Sequence, residues 1–169
     1  MVTATTTRRE VFFSLFMFTA NLQPNNAAYT EVIARHIREL SSYGYDGFDL
    51  PIAPTSIDHR TEIQSYVELR HRLEDLGLGD VRITTNVATT REFDPTSADP
   101  GQRDAALEYL RSRVDITDAL GGSLMAGPVI FPYNVYPVTG DGQPIWSDAL
   151  QDRVKPCLLY TSPSPRDRS

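Results

Sequence analysis

Cysteine, excess positive charge and long apolar runs are scarce or missing in this 169-residue chain. The one cysteine, Cys157, lies near the C-terminus, so residues 1–156 can form neither disulfides nor thiolate metal sites. The formal net charge is −6, and the scattered Lys and Arg do not form the basic stripe expected of a nucleic-acid-binding protein. No run approaches the roughly 18 apolar residues of a membrane span. We therefore expect neither nucleic acid nor a membrane as a partner.

The apolar segment near the N-terminus has two interpretations. Arg8 and Arg9 precede the run 11–18, as in a twin-arginine export signal. However, Glu10 stands at its entry, no A-x-A cleavage site follows it, and Phe and Val replace the Leu and Ala of a signal core. These features favour a buried strand in a cytoplasmic protein, after a disordered segment at 1–9.

The end of the chain has an unusual composition. Residues 157–169 begin with CLLYTSPSPRD, which resembles the conceptual translation of a transposase adapter used in DNA sequencing libraries. A natural Ser/Pro-rich disordered tail is the alternative. The adapter interpretation predicts that native sequence stops near Pro156, that 10–156 form part of a larger domain, and that 157–169 are non-native and pack on nothing.

Hydrophobic periodicity predicts alternating strands and helices. Apolar runs rich in β-branched and aromatic residues predict strands at Val11–Thr19, Tyr45–Ile52, Val81–Val87 and Ser123–Gly127. Helical spacing predicts crossover helices over 29–40, 63–76 and 100–117, and the start of another over 145–154. Asn25 or Asn26 is expected to cap the first helix and Pro100 to start the third, while Gly44, Gly77 and the pair Gly121-Gly122 end the helices.

This βαβαβαβ order predicts an α/β fold with a parallel sheet. A doubly wound sheet and a (βα)8 TIM barrel both fit. The barrel is favoured because no G-x-G-x-x-G phosphate loop follows the first strand, no P-loop occurs, and the βα loops 53–59, 88–99 and 128–144 exceed the αβ turns in length. A barrel needs about 250 residues, so we expect its N-terminal part, about four parallel strands with three crossover helices, and no closed barrel.

Three segments resemble a known superfamily. GYDGFDLPI (44–52), ALGGSLMAGPVIFPYNVYPVTG (119–140) and PIWSDALQDRV (144–154) resemble xylose-isomerase-like barrels, in particular ketose 3-epimerases and sugar phosphate isomerases/epimerases. The resemblance implies a sugar substrate, a divalent ion (Mn²⁺, Mg²⁺ or Co²⁺) and two carboxylates that move a proton through an enediolate. It is also compatible with a homo-oligomeric parent protein.

The same resemblance places the metal ligands, two Glu, one Asp and one His, on later strands beyond Pro156. No residue of this chain is therefore assigned a catalytic or metal-binding role. We expect no cofactor in this fragment and no activity from it alone.

Candidate substrate-binding residues lie at or beyond the ends of the predicted strands: Asp49, His59, Asn86, Gly127, Phe131 and Tyr133. Asp49 and Asn86 would hydrogen-bond sugar hydroxyls, or alternatively cap a loop and form a turn. His59, expected in a loop, would meet substrate or stay solvated. Gly127 would let the backbone approach a ligand, and the two aromatic residues would line the pocket or only pack their loop.

Two other functions remain open from the sequence. The first is a fragment of a barrel-type DNA-repair endonuclease, against which the acidic charge argues. The second is a self-contained, non-catalytic α/β binding module, which would fold cooperatively with four strands.

Overall fold

A computed structural model describes residues 9–19, 22, 24 and 26–161 of the chain. In chain order the elements are β1 (Phe12–Ser14), α1 (Phe16–Thr19), α2 (Tyr29–Ser41), β2 (Gly47–Pro51), α3 (His59–Asp75), β3 (Arg82–Asn86), α4 (Pro100–Ala119), β4 (Met125–Ala126) and α5 (Asp148–Thr161). Each predicted strand and each crossover helix has a counterpart. All four strands are shorter than predicted, and β4 is reduced to two residues.

The helix ends follow from local sequence. Asp99 caps α4 by accepting from the Gly101 N–H, and Pro100 occupies its first turn. Gly44 follows α2 with a φ of 87°, a conformation that only glycine adopts without cost. Ahead of α2, the Asn26 side chain accepts from the Ala28 N–H, so it stabilises the approach to the helix, while Ala28 occupies the cap position. Asn25, the other predicted cap, lies outside the described residues.

The prediction of one long buried strand over Val11–Thr19 is wrong. β1 ends at Ser14, whose hydroxyl accepts from the Phe16 N–H, and the chain turns into the single helical turn α1. Among residues 11–18, only Leu15 is fully buried, whereas Phe16 and Met17 are 58% and 81% exposed. A hydroxyl residue that bonds a nearby backbone N–H favours such a turn over continued strand pairing.

The sheet is parallel, and its strand order β1-β2-β3-β4 is the order of the chain. Successive helices pack against each other, α2 on α3, α3 on α4 and α4 on α5, so they form one layer beside the sheet. A doubly wound sheet instead reverses its strand order at a switch point. The open four-stranded α/β sheet with one helical layer is therefore that of a partial TIM barrel, as predicted.

The hydrophobic core lies between this sheet and the helical layer. Alternate strand residues point into it because side chains alternate across a strand. The sheet contributes Phe48, Leu50, Ile83 and Val87, and the helices contribute Ile33, Ile37, Leu69, Leu73, Leu110 and Ile116. The other face of the sheet therefore carries the remaining strand residues.

The chain ends extend partly beyond what the structure describes. Of the segment 1–9, only Arg9 is described, and residues 162–169 of the proposed tail also lie outside the described part. The backbone of α5 continues past Val154 to Thr161. In the described part of the chain, no helix combines the length and apolar character needed to cross a bilayer.

Candidate functional site

The sheet face opposite the helical layer carries a row of polar side chains, here called the inner row: Ser14, Asp49, Thr84 and Asn86. The strand register pairs Ser14 with Asp49 and Asp49 with Thr84, so the three lie side by side on β1, β2 and β3. Asn86 follows Thr84 by two residues and therefore shares its face. The inner row is the polar surface that the interior of a completed barrel would receive from these strands.

Asp49 is held from both sides within the inner row. The Ser14 hydroxyl donates to Asp49 Oδ2 at 3.0 Å, and the Thr84 hydroxyl donates to Oδ1 at 3.2 Å. An ionised carboxylate offers about four lone-pair sites, so roughly two remain after these bonds. Asp49 is thus fixed in orientation and can still accept hydrogen bonds from hydroxyl groups.

A cavity of ~540 Å³ lies over the inner face of the sheet. Asp49, Thr84 and Asn86 line it, together with Ala126 of β4 and Leu124 just before it. Because the barrel is not closed, this cavity is the uncovered inner face of the sheet. The ion pair between Arg82 and Glu10 borders the same cavity, and the Arg82 guanidinium lies 5.5 Å from the Phe12 ring centroid.

His59 lies elsewhere. It is the first residue of α3 rather than a loop residue, because Asp58 caps the helix one position earlier. Its Nε2 lies 3.2 Å from Asp115 Oδ2 on α4. It lines a separate depression of ~230 Å³ in the helical layer, so the structure does not bring it together with the inner row.

Gly127 packs closely against the end of β3. Its φ is 127°, and a Cβ atom there would lie 1.9 Å from the Val87 carbonyl oxygen. The Val87 N–H in turn donates to the Ala126 carbonyl at 2.8 Å. A glycine at this position therefore lets the end of β4 pack directly against the end of β3.

The aromatic candidates lie in the long loop between β4 and α5. Phe131 contacts the rings of Tyr136 and Trp146 edge-on, with centroid distances of 6.4 and 5.7 Å. Its carbonyl accepts from the Thr89 hydroxyl, and the Tyr133 N–H donates to the Thr89 carbonyl. Tyr133 itself is 62% exposed. Phe131 thus packs within its loop, and neither ring is among the residues that line the inner cavity in the described part of the chain.

Sequence reasoning missed Ser14 and Thr84. Both hold the Asp49 carboxylate, and both could have been found from strand alternation, since Thr84 stands two residues before Asn86 in the predicted third strand. It also missed the buried pair of Glu62 and Arg113, whose side chains are 2% and 4% exposed. Those residues lie on α3 and α4, helices in which hydrophobic periodicity predicts that charged residues face solvent.

Burial strongly affects the tyrosines near that pair. Desolvation raises the pKa of Tyr29 and of Tyr66 well above the ordinary tyrosine range, and raises the pKa of Tyr109 to about 12. All three phenols therefore keep their protons at neutral pH. Among the described residues, no three His, Cys, Asp or Glu side chains lie close enough together to hold a metal ion.

Comparison with known proteins identifies related structures. Neither a protein-family model nor a curated protein sequence matches the chain. A solved structure from Anabaena variabilis, designated a sugar phosphate isomerase/epimerase, is 47% identical with a TM-score of 0.71, and the match covers 93% of this chain and 48% of that one.

Two ketose epimerases share the fold. L-ribulose 3-epimerase is 17% identical with a TM-score of 0.63, over 92% of this chain and 45% of its own. D-allulose 3-epimerase from Methylomonas sp., in complex with D-allulose, is 17% identical with a TM-score of 0.59, over 86% and 43%. The predicted resemblance is confirmed: this chain is similar over nearly all of its length to a sugar phosphate isomerase/epimerase, shares the fold of ketose 3-epimerases, and spans about half the length of these proteins.

Proposed function

We propose that this chain is part of a sugar isomerase/epimerase that acts on a ketose or a sugar phosphate. The observation that carries the proposal is the 47% identity with the sugar phosphate isomerase/epimerase over 93% of the chain. The polar inner row adds support, because a sugar needs hydrogen-bonding groups on the wall of its site. Since the chain spans about half of that protein, we further propose that it is inactive alone.

Asp49 and Asn86 are the side chains that would bind the substrate. The Asp49 carboxylate accepts hydrogen bonds from sugar hydroxyls, and the Asn86 amide both donates and accepts. Ser14 and Thr84 would fix the carboxylate so that it needs no rearrangement when sugar arrives. Hydrogen bonds of this kind orient the sugar carbons for proton transfer by groups elsewhere in the barrel.

The metal dependence implied by the resemblance is likewise a proposal for the whole protein. A divalent ion would supply stabilisation of the negative charge that develops on substrate oxygen during proton transfer. Its ligands would lie outside the described residues. Cytoplasmic location, a homo-oligomeric parent and the lack of nucleic-acid or membrane partners also remain predictions.

The proposal can be tested by completing the barrel. Residues 10–154 would be joined to the part of the Anabaena variabilis protein that the match leaves uncovered, and the product assayed for interconversion of D-fructose, D-allulose and L-ribulose and of their phosphates. The intact relative is assayed in parallel. We expect measurable activity that is lost on chelation and regained with Mn²⁺, Mg²⁺ or Co²⁺.

Variants of the completed barrel test the inner row. Asp49→Asn removes the charge but keeps the shape, and we expect kcat/KM to fall about 10- to 100-fold, as for loss of a hydrogen bond to a charged group. Glu68→Gln makes the same chemical change on the exposed face of α3 and should leave kcat/KM unchanged. A folded barrel inactive on every sugar that the intact relative converts would contradict the proposed function. Equal activity of Asp49→Asn and the unmodified barrel would contradict the role of Asp49.

A further inference from the structure

The buried ion pair between α3 and α4 needs an explanation beyond stability. Arg113 Nη1 donates to Glu62 Oε1 at 2.8 Å, and Nη2 donates to Oε2. The side chains are 4% and 2% exposed. Taking two charges out of water costs several kcal/mol per ion, on the order of what their attraction returns, so apolar residues of similar size would hold the two helices together as well.

The same guanidinium reaches the loop that follows β2. Arg113 Nη1 also donates to the Ala53 carbonyl at 3.1 Å, just after the end of β2. β2 carries Asp49, and the loop that begins at Ala53 connects it to α3. Apolar replacements for the ion pair would leave that carbonyl without its donor.

Tyr109, on the same helix, bonds a backbone carbonyl of the next βα loop. The Tyr109 hydroxyl donates to the Ala88 carbonyl at 3.1 Å, just after the end of β3, which carries Thr84 and Asn86. Phe93, farther along that loop, stacks on the Tyr109 ring with a centroid distance of 4.6 Å and an interplanar angle of 12°. Because burial raises the pKa of Tyr109 to about 12, the hydroxyl keeps the proton that it donates.

The two α4 side chains are coupled to each other. Tyr109 and Arg113 are four residues apart, one helical turn, and the guanidinium carbon lies 5.0 Å from the Tyr109 ring centroid. Glu62 fixes the guanidinium from α3 by two parallel hydrogen bonds, which set its plane as well as its position. Three buried side chains therefore hold the starting points of two successive βα loops.

We infer that Glu62, Arg113 and Tyr109 form a loop anchor: Arg113 and Tyr109 are positioning residues that fix the loops after β2 and β3, next to the inner-row residues on those strands. This inference concerns the two loops themselves and does not depend on the proposed function. The alternative is that the three residues merely pack the helices together. That alternative predicts no loop-specific effect when a single hydrogen bond is removed.

Amide hydrogen exchange on the full chain separates the two. Tyr109→Phe removes only the hydroxyl and keeps the ring that stacks on Phe93, so exchange should quicken about fivefold in the early part of loop 88–99 and stay unchanged in 52–58. The double variant Glu62→Leu/Arg113→Met removes the Ala53 donor without leaving a buried charge, so exchange should quicken about tenfold in 52–58.

Arg70 supplies a matched control. Its Nη2 donates to the Gly79 carbonyl at 2.7 Å and its Nε to Glu74 at 2.9 Å, so it is also an arginine held by a carboxylate and bonded to a loop carbonyl. That carbonyl lies in the turn before β3, at the opposite end of the sheet. Arg70→Gln should therefore quicken exchange near 79 and leave both βα loops unchanged.

The outcomes are distinct. Loop-specific acceleration, with Tyr109→Phe and the double variant acting on different loops, supports the anchor. Unchanged loop exchange in Tyr109→Phe overturns it, and so does a uniform acceleration along the whole chain, which would indicate a packing role alone. Since no sugar enters this measurement, its failure is distinguishable from failure of the proposed isomerase or epimerase activity.

Discussion

Replacing only one residue of the buried pair Glu62 and Arg113 should destabilise the chain far more than replacing both with apolar residues. In Arg113→Met the Glu62 carboxylate stays 2% exposed with its strongest donors gone. Removing one partner of a buried pair costs about 3–5 kcal/mol, a large share of the roughly 5–15 kcal/mol by which domains are stable. For a chain of this size the melting temperature should fall by about 6–20 °C.

The double variant Glu62→Leu/Arg113→Met leaves no uncompensated charge. We expect it to be at least about 2 kcal/mol more stable than Arg113→Met alone, although it forms neither ionic hydrogen bond. Urea unfolding followed by circular dichroism measures both changes. As a control, Lys155→Met removes a pair with Asp152 in which both side chains are about two-thirds exposed, and should cost under about 1 kcal/mol. A double variant as unstable as the sum of its single changes would refute the reasoning.

Two further predictions concern local structure. Gly127→Ala should lower the free energy of unfolding by about 3 kcal/mol or more, because its Cβ would lie 1.9 Å from the Val87 carbonyl oxygen. Gly44→Ala, also at positive φ but with nothing within 4 Å, should lower it by only about 1 kcal/mol. Urea unfolding measures both changes, and equal values would contradict the close approach of Gly127 to Val87. Asp58→Ala should lower the melting temperature at pH 7, because hydrogen bonds from Thr61 hold the pKa of Asp58 below its ordinary value. Because the folded-state pKa is lowered, the stability that Asp58 contributes is complete above its ordinary pKa of about 4 and disappears as pH falls through the folded-state pKa. The melting temperatures of the variant and the unmodified chain should therefore converge between pH 7 and pH 2. A difference that stays constant over this range would contradict the prediction.

Local signals predicted the helical layer well. Pro100 after Asp99 and the glycine at 44 act within one turn of the chain, so their effect can be read without knowing the fold. Strand 1 was mispredicted because the run Phe16–Phe18 is as apolar as a buried strand. Pairing stops at Ser14 although β2 continues to Pro51, because the Ser14 hydroxyl bonds the Phe16 N–H and the chain turns.

The candidate site was only partly predictable for a similar reason. Asn86 was correctly placed at the end of its strand. Asp49 was also expected at a strand end, but β2 continues to Pro51, so Asp49 lies in the middle of that strand. The sequence did not show that His59 lies apart from the inner row. A shift of a few residues in the helix boundary decides whether His59 ends a loop or starts α3. The contact between Glu62 and Arg113 joins residues 51 positions apart, and only the packing of α3 on α4 brings them together.

The most direct test of the account is a crystal structure of the completed barrel with D-fructose bound. We predict ketose oxygens within hydrogen-bonding distance of Asp49 and Asn86, over the inner face of the sheet, with Ser14 and Thr84 still bonded to the Asp49 carboxylate. A ketose bound instead in the depression beside His59, with no contact to the inner row, would contradict it.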